Sequence, residues 1–157
     1  MFLSDCSLNP TEHINNLLNQ GRYLEARTLT TRQLANSSEL RIKQLHALAL
    51  SKSGTPQAAV EFFEPIYHEH PEDAETAGIM GGIYKELFRQ TRQQSFAILS
   101  RDAYQNNFTI TRNYYTGINA ATMSAIAGKF QRGRELAQEV IALLPEHGPD
   151  LDRAVKN

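Results

Sequence analysis

The residue types that could hold a metal or move a proton are sparse in this sequence. The densest cluster is His68, Glu69 and His70, with Glu64 one turn before His68. A metal site needs three or four converging ligands with a fixed outer shell. Two histidines two positions apart on a helix point to different faces, so a solvated helix end is the better reading. His13, His46 and His147 are isolated. Nothing can be argued as a Ser–His–Asp set, a carboxylate pair or a Gly-rich phosphate loop. The single cysteine, Cys6, rules out an intrachain disulfide and a cysteine zinc cage, and reads as an inert thiol near a chain end. No catalytic residue, metal or cofactor is assigned. What remains is recognition chemistry, and its focus is three glycines, Gly78, Gly81 and Gly82, inside one apolar stretch. Each glycine in a helix costs about 1 kcal/mol relative to alanine. Either they let helices pack closely, which is the reading for Gly81, or they open a groove for a partner's backbone. For Gly78 and Gly82 packing leads, and the groove stays open as an alternative.

These residues need elements to position them, and nearly the whole chain reads as helix. Asn9-Pro10 is a start signal, followed by Ile14, Leu17 and Leu18 on one face and a stop at Gly21. A second helix is expected from about Arg22 to Leu34, with Leu24, Ala26 and Leu29 on its buried side. Asn36 to Glu39 caps a third, which ends at Gly54. Thr55 is expected to cap a fourth with Pro56 at its first position, and Pro65 to kink it. A Gly-rich helix spans about Asp73 to Phe88. The polar stretch Arg89–Gln94 is expected to interrupt before a helix over about Ser95–Asn107. Thr109, Thr111 and Asn113 are candidate caps for a helix over about Tyr114–Ala127. The last clear helix covers about Gln131–Leu144, and one further turn is expected at Leu151–Val155. No strand is predicted.

Length and composition agree with one ordinary soluble domain. The chain has 157 residues, 41% hydrophobic, with 16 Lys+Arg against 17 Asp+Glu. That balance leaves no basic surplus for phosphates, so nucleic acid is not an expected partner. No basic, apolar leader opens the chain and no window is apolar enough for a membrane span, so the expected compartment is the cytoplasm, with no membrane partner.

A repeat runs through the helices. Gly21, Gly54 and Gly128 are each followed five residues on by a small residue, Ala26, Ala59 and Gly133. Four residues later come Thr30, Phe63 and Ala137, and Pro71 and Pro145 each lie seventeen residues after their glycine. The pairs Gly81/Tyr84 and Ser100/Tyr104 supply the third unit. This spacing resembles the tetratricopeptide repeat, in four degenerate copies over residues 11–145. The resemblance implies an all-α, right-handed α-solenoid of about four helix pairs, with residues 1–10 as an N-terminal extension and 146–157 as a tail or the start of a further helix.

Two stretches carry a closer resemblance. Asp73–Leu87 has an acidic start and a Gly-rich helix ending Ile83-Tyr84-Lys85, and Tyr115-x-Gly117-Ile118-Asn119-x-Ala121 follows after a variable segment. Together they resemble the TRAF-binding, tetratricopeptide-like region of the apoptosis-signal-regulating kinase kinase kinases and its bacterial relatives, over about Ser38–Pro145. That resemblance implies a scaffold that binds other proteins and regulates a signalling or effector partner. No kinase motif accompanies it.

The repeat register implies an inner surface carrying Arg41, Gln44, Leu48, Glu75, Gly78 and Gly82, together with Lys85, Tyr115, Ile118, Asn119 and Thr122. On it a partner peptide or helix would bind. Domains of this class that grip a terminal carboxylate place a basic residue and an asparagine one turn apart, and Gly78 and Gly82 stand at those places in the third unit. Asn119 alone resembles one clamp member, and is read as a buried amide bonded to nearby backbone. The alternative function is a sensing domain for a peptide or small molecule, with Gly78, Gly82 and Tyr115 lining its pocket. If the tail leaves the last pair uncovered, self-association through the C-terminal end face is expected.

Overall fold

The computed structural model describes residues 9–144. The expectations for Cys6, Pro145 and a turn at Leu151–Val155 lie outside them. Within the described residues there are eight helices and no strand: α1 Pro10–Asn19, α2 Tyr23–Leu34, α3 Leu40–Lys52, α4 Pro56–Glu69, α5 Ala74–Thr91, α6 Gln94–Thr111, α7 Tyr114–Ile126 and α8 Phe130–Leu143. Consecutive helices pack antiparallel as four pairs. The first helices of successive pairs also touch, α1 with α3, α3 with α5 and α5 with α7. That neighbour pattern is an α-solenoid of helix pairs. None of these helices is long and apolar enough to cross a membrane.

Local chemistry sets the helix ends. Asn9 Oδ1 accepts from Thr11 N at 3.1 Å, Asp73 Oδ2 from Thr76 N at 2.8 Å, and Asn113 Oδ1 from Tyr115 N at 3.0 Å. The turns inside pairs one, two and four use Gly21, Gly54 and Gly128 at φ 74, 92 and 73°, in the left-handed region that glycine enters freely. Thr55 stands at the N-cap position of α4 but makes no side-chain bond to that helix. Its hydroxyl donates back to Leu50 O at 2.9 Å, tying the Gly54 turn to α3 instead. Helix α4 runs unbroken through Pro65.

The third pair departs most from expectation. The stretch Arg89–Gln94 does hold the break, but only at Arg92 and Gln93, since α5 runs on to Thr91 and α6 begins at Gln94. Helices α5 and α6 are 18 residues each against 13 for α3 and 14 for α4, so the additional residues lengthen both helices. Arg and Gln are good helix formers, and Glu86 accepts from Arg89 and Gln90 along the helix. Arg92 makes the turn at φ 59°. Arg112, at φ 56°, leads from α6 into α7, pairs with Glu139 at 2.8 Å and lies over the Phe108 ring at 4.8 Å.

Three apolar clusters fill the solenoid in series. Ile14, Leu17, Ala26, Ile42, Leu45 and Ala49 join α1, α2 and α3. Phe63, Ile79, Met80, Ile83 and Leu87 centre the second cluster, and Phe108, Met123, Leu136 and Val140 the third. Leu24 is not buried but 68% exposed. It is two positions from Ala26 and so points away from the core, while Thr30, one turn beyond Ala26, is buried. Polar residues bolt successive units together. Gln44 Nε2 donates to Asp73 Oδ2 at 2.9 Å and Thr76 Oγ1 at 3.0 Å. Asn107 Nδ2 donates to Pro71 O at 3.0 Å, and its Oδ1 accepts from Thr116 and Thr111 at 3.1 Å.

Two polar groups in these clusters lead to measurable effects. His46 packs edge-on against Phe62 with Nδ1 2.8 Å from Thr30 Oγ1. Burial, aided by the nearby Arg27 charge, holds its imidazole below the ordinary value of 6.5. The folded state therefore binds fewer protons than the unfolded chain just below pH 6.5, and stability falls as the pH drops through that region. Urea unfolding of wild type and His46→Gln from pH 7.5 down to 4.5 should show a flatter profile for the variant. Ser124 Oγ is buried with no hydrogen-bond partner among the described residues. An unpaired buried hydroxyl costs about 1–3 kcal/mol, so Ser124→Ala should raise the urea midpoint.

Candidate functional site

The three first helices α3, α5 and α7 line a groove of about 420 Å³. Leu48 and Ser51 form one wall from α3, with Lys52 at its lip. Gly78, Ile79, Gly82 and Ile83 of α5 form the floor. Tyr115 and Asn119 of α7 form the other wall. The floor is low because Gly78 and Gly82 carry no side chain. Tyr104 reaches up from α6 to fill part of that space, its hydroxyl donating to Gly78 O at 3.3 Å. Its ring meets Tyr115 edge-on, centroids 6.4 Å apart.

The three glycines have separate tasks. A Cβ on Gly81 would lie 2.4 Å from the Tyr104 ring, and the Gly81 carbonyl accepts from Ser100 Oγ at 2.7 Å. Gly81 is thus a packing residue joining α5 to α6. A Cβ on Gly78 would lie 3.0 Å from the Tyr115 ring, so that glycine seats the wall. A Cβ on Gly82 meets only Tyr104 Oη, at 3.9 Å. Gly82 faces open groove.

The rim is charged. Glu75 pairs with Arg41 at 2.9 Å, and Glu86 pairs with Arg89 at 2.6 Å. The hydrogen bond from Arg89 holds the Glu86 carboxyl below the usual carboxylate range. Lys52 and Lys85 line the groove and have no carboxylate within ion-pair distance among the described residues. Burial first, then the neighbouring Tyr115, pushes the Tyr104 hydroxyl up, so it remains a neutral donor.

Of the residues that the register implied, Leu48, Glu75, Gly78, Gly82, Lys85, Tyr115 and Asn119 line this groove. Arg41 stands beside it through its ion pair to Glu75. Gln44 is buried and spent on joining α3 to the start of α5. Ile118 is 49% exposed and Thr122 donates to Ile118 O, both outside the groove. Asn119 does bond nearby backbone, Nδ2 donating to Tyr115 O at 2.9 Å, but it is half-buried at the groove wall rather than interior. Lys52, Glu86, Arg89 and Tyr104 were not anticipated. Glu86 and Arg89 continue the Gly78–Gly82 stripe in helical steps; ending the expected helix at Phe88 hid Arg89, whereas Glu86 lay within it and its place on the stripe was overlooked. Tyr104 belongs to a second helix and reaches the groove only through the space the glycines leave.

Among the described residues no group of three or more His, Cys, Asp or Glu gathers to hold a metal. His68 and His70 sit at the end of α4, outside the groove. No curated protein matches the chain. The family model described as Tetratricopeptide Repeats-Sensor matches residues 22–124, a span that runs from the first glycine turn through the Tyr115–Asn119 wall. With about two thirds of its length matched and four helix pairs in the repeat spacing, the chain belongs to the Tetratricopeptide Repeats-Sensor family.

Proposed function

We propose that this domain is a protein-interaction module that captures a partner peptide or helix in the groove of α3, α5 and α7, and thereby regulates a signalling or effector partner. The observation that carries the reading is the floor: Gly82 faces open groove between two walls, so a partner can approach its main chain closely. Leu48 and the half-exposed Tyr115 ring offer apolar contact, and the Lys52 and Lys85 ammonium groups on the rim offer charge to acidic partner residues. Repeat domains of this type are generally interaction or sensor modules rather than enzymes, and no catalytic role is proposed. The likeness of Asp73–Leu87 and Tyr115–Ala121 to TRAF-binding regions supports a signalling partner, and the expected setting is the cytoplasm.

The test is capture from source extract by wild type and by Gly82→Leu, which fills the groove floor. A partner recovered by wild type and lost with the variant sustains the reading. Equal recovery by both, or nothing specific with either, overturns it.

The groove's size favours a second reading, in which a small molecule or short peptide is the ligand and its binding is the signal. A volume of about 420 Å³ falls within the range of small-ligand sites. Thermal-shift screening separates the two: a ligand that raises the midpoint of wild type but not of Gly82→Leu supports sensing.

A further inference from the structure

The groove is long as well as open. Its outermost residues on α5, Glu75 and Arg89, are fourteen positions apart. That is about 21 Å of helix, a length that about six residues of extended chain would cover. Both walls carry polar groups that the fold leaves unpaired. Ser51 of α3 is 6% exposed and lines the groove, and its hydroxyl makes no hydrogen bond among the described residues. Asn119 of α7 spends one amide hydrogen on Tyr115 O, and its Oδ1 accepts nothing among the described residues. An almost enclosed hydroxyl opening onto a groove is a hydrogen-bonding position for what fills it. An extended peptide brings free main-chain N–H and C=O groups to such positions, whereas a helix has spent its own.

Charge is distributed unevenly along this length. Helices α3 and α5 run in the same direction. Arg41 and Gln44 bond Glu75 and Thr76 near the start of α5, while the charge of Lys52, at the end of α3, helps to hold the Glu86 carboxyl low. Lys52 lies one turn beyond Leu48, and Lys85 one turn beyond Gly82. Both ammonium groups therefore stand on the same side of an apolar slot made by Leu48, the open floor at Gly82 and the Tyr115 ring. The carboxylates lining the groove are engaged, Glu75 by Arg41 and Glu86 by Arg89 and Gln90. Donors suited to a phosphate are engaged too. Both arginine forks are paired, and Asp73 and Asn113 take first-turn amides of α5 and α7. Two ammonium groups on separate helices suit single carboxylates.

We propose that the groove selects an extended acidic peptide, in which an apolar side chain enters the slot at Gly82 and a carboxylate one or two positions away meets Lys52 or Lys85. The spacing follows from the step between slot and charges, about 5.4 Å for one helical turn, against about 3.3 Å per residue of extended chain. This rests on the groove being the capture site and adds which sequence it captures.

Selection of random nine-residue peptides displayed on phage tests it, with the full chain as target and Gly82→Leu as counter-target. Recovered peptides should carry Asp or Glu within two positions of an apolar residue. In fluorescence anisotropy with the leading peptide, Lys52→Gln and Lys85→Gln should each weaken binding about threefold, in the range of an exposed ion pair. Added sodium chloride should weaken it further. Both lysines are exposed, so the variants should keep wild-type circular dichroism. Peptides that need an open Gly82 but show no acidic preference, or ignore both lysine substitutions, overturn the proposal and leave the groove as the capture site. So does displacement of the peptide by inorganic phosphate at matched ionic strength. Peptides that bind Gly82→Leu equally well overturn both readings. Recovery of no peptide overturns the proposal.

Discussion

Gly81→Ala is expected to destabilise the fold by about 2 kcal/mol, although alanine is the better helix former. Alanine's propensity would stabilise α5 by roughly 1 kcal/mol at an open site. At this one the new methyl would sit 2.4 Å from Tyr104 Cε2 and 2.8 Å from Cδ2. The ring cannot swing clear, because it is 3% exposed and its hydroxyl is tied to Gly78 O. The helices must separate, and overpacking of this kind typically costs about 1–3 kcal/mol. Separation also stretches the Ser100 bond to Gly81 O, a short 2.7 Å contact between buried partners. Urea denaturation of wild type and variant, fitted with a common slope, reads the difference. A midpoint equal to or above that of wild type would sink the packing role assigned to Gly81.

Its neighbour gives the opposite result. Gly82→Leu should leave stability unchanged or raise it by up to about 0.8 kcal/mol, while reducing groove binding at least on the order of tenfold. The position is open, with Tyr104 Oη at 3.9 Å as the nearest group to a Cβ. A leucine there projects into the space between Leu48 and Tyr115 and covers the exposed backbone of the floor. Loss of binding with stability retained separates a blocked site from a damaged fold. Denaturation and binding measured on the same preparation decide it. If the variant binds as wild type does, the groove is not the site.

These adjacent glycines show how far the sequence can be read. The repeat was legible because three units mark it with glycine turns and small residues at a fixed interval, and those residues perform the same geometric task each time. Gly81 was recognisable as a packing residue from its partners in the repeat, Ser100 and Tyr104. The third pair hid its length because no glycine ends α5. Arg92 takes the left-handed turn there, and a run of Arg and Gln has the same composition whether it continues a helix or leaves one. Leu24 was misplaced because hydrophobicity outweighed its angular position. The groove's far wall was legible in Tyr115 and Asn119, but Tyr104 was not. Its approach from a second helix depends on how deep the facing helices sit, a distance that spacing along one helix does not encode.

The overhang of the third pair has a consequence for how such a module diversifies. Six or so residues beyond the common repeat length are taken up as extra helix at the end where α5 turns into α6, leaving the buried register of the units on either side intact. Glu86 and Arg89 stand at the root of that overhang, on the lip of the groove. Insertions, deletions and charge exchanges in this hairpin tip would alter what meets an incoming partner without asking any core residue to change. The module can thus acquire new preferences at one adjustable corner while inheriting its architecture unchanged.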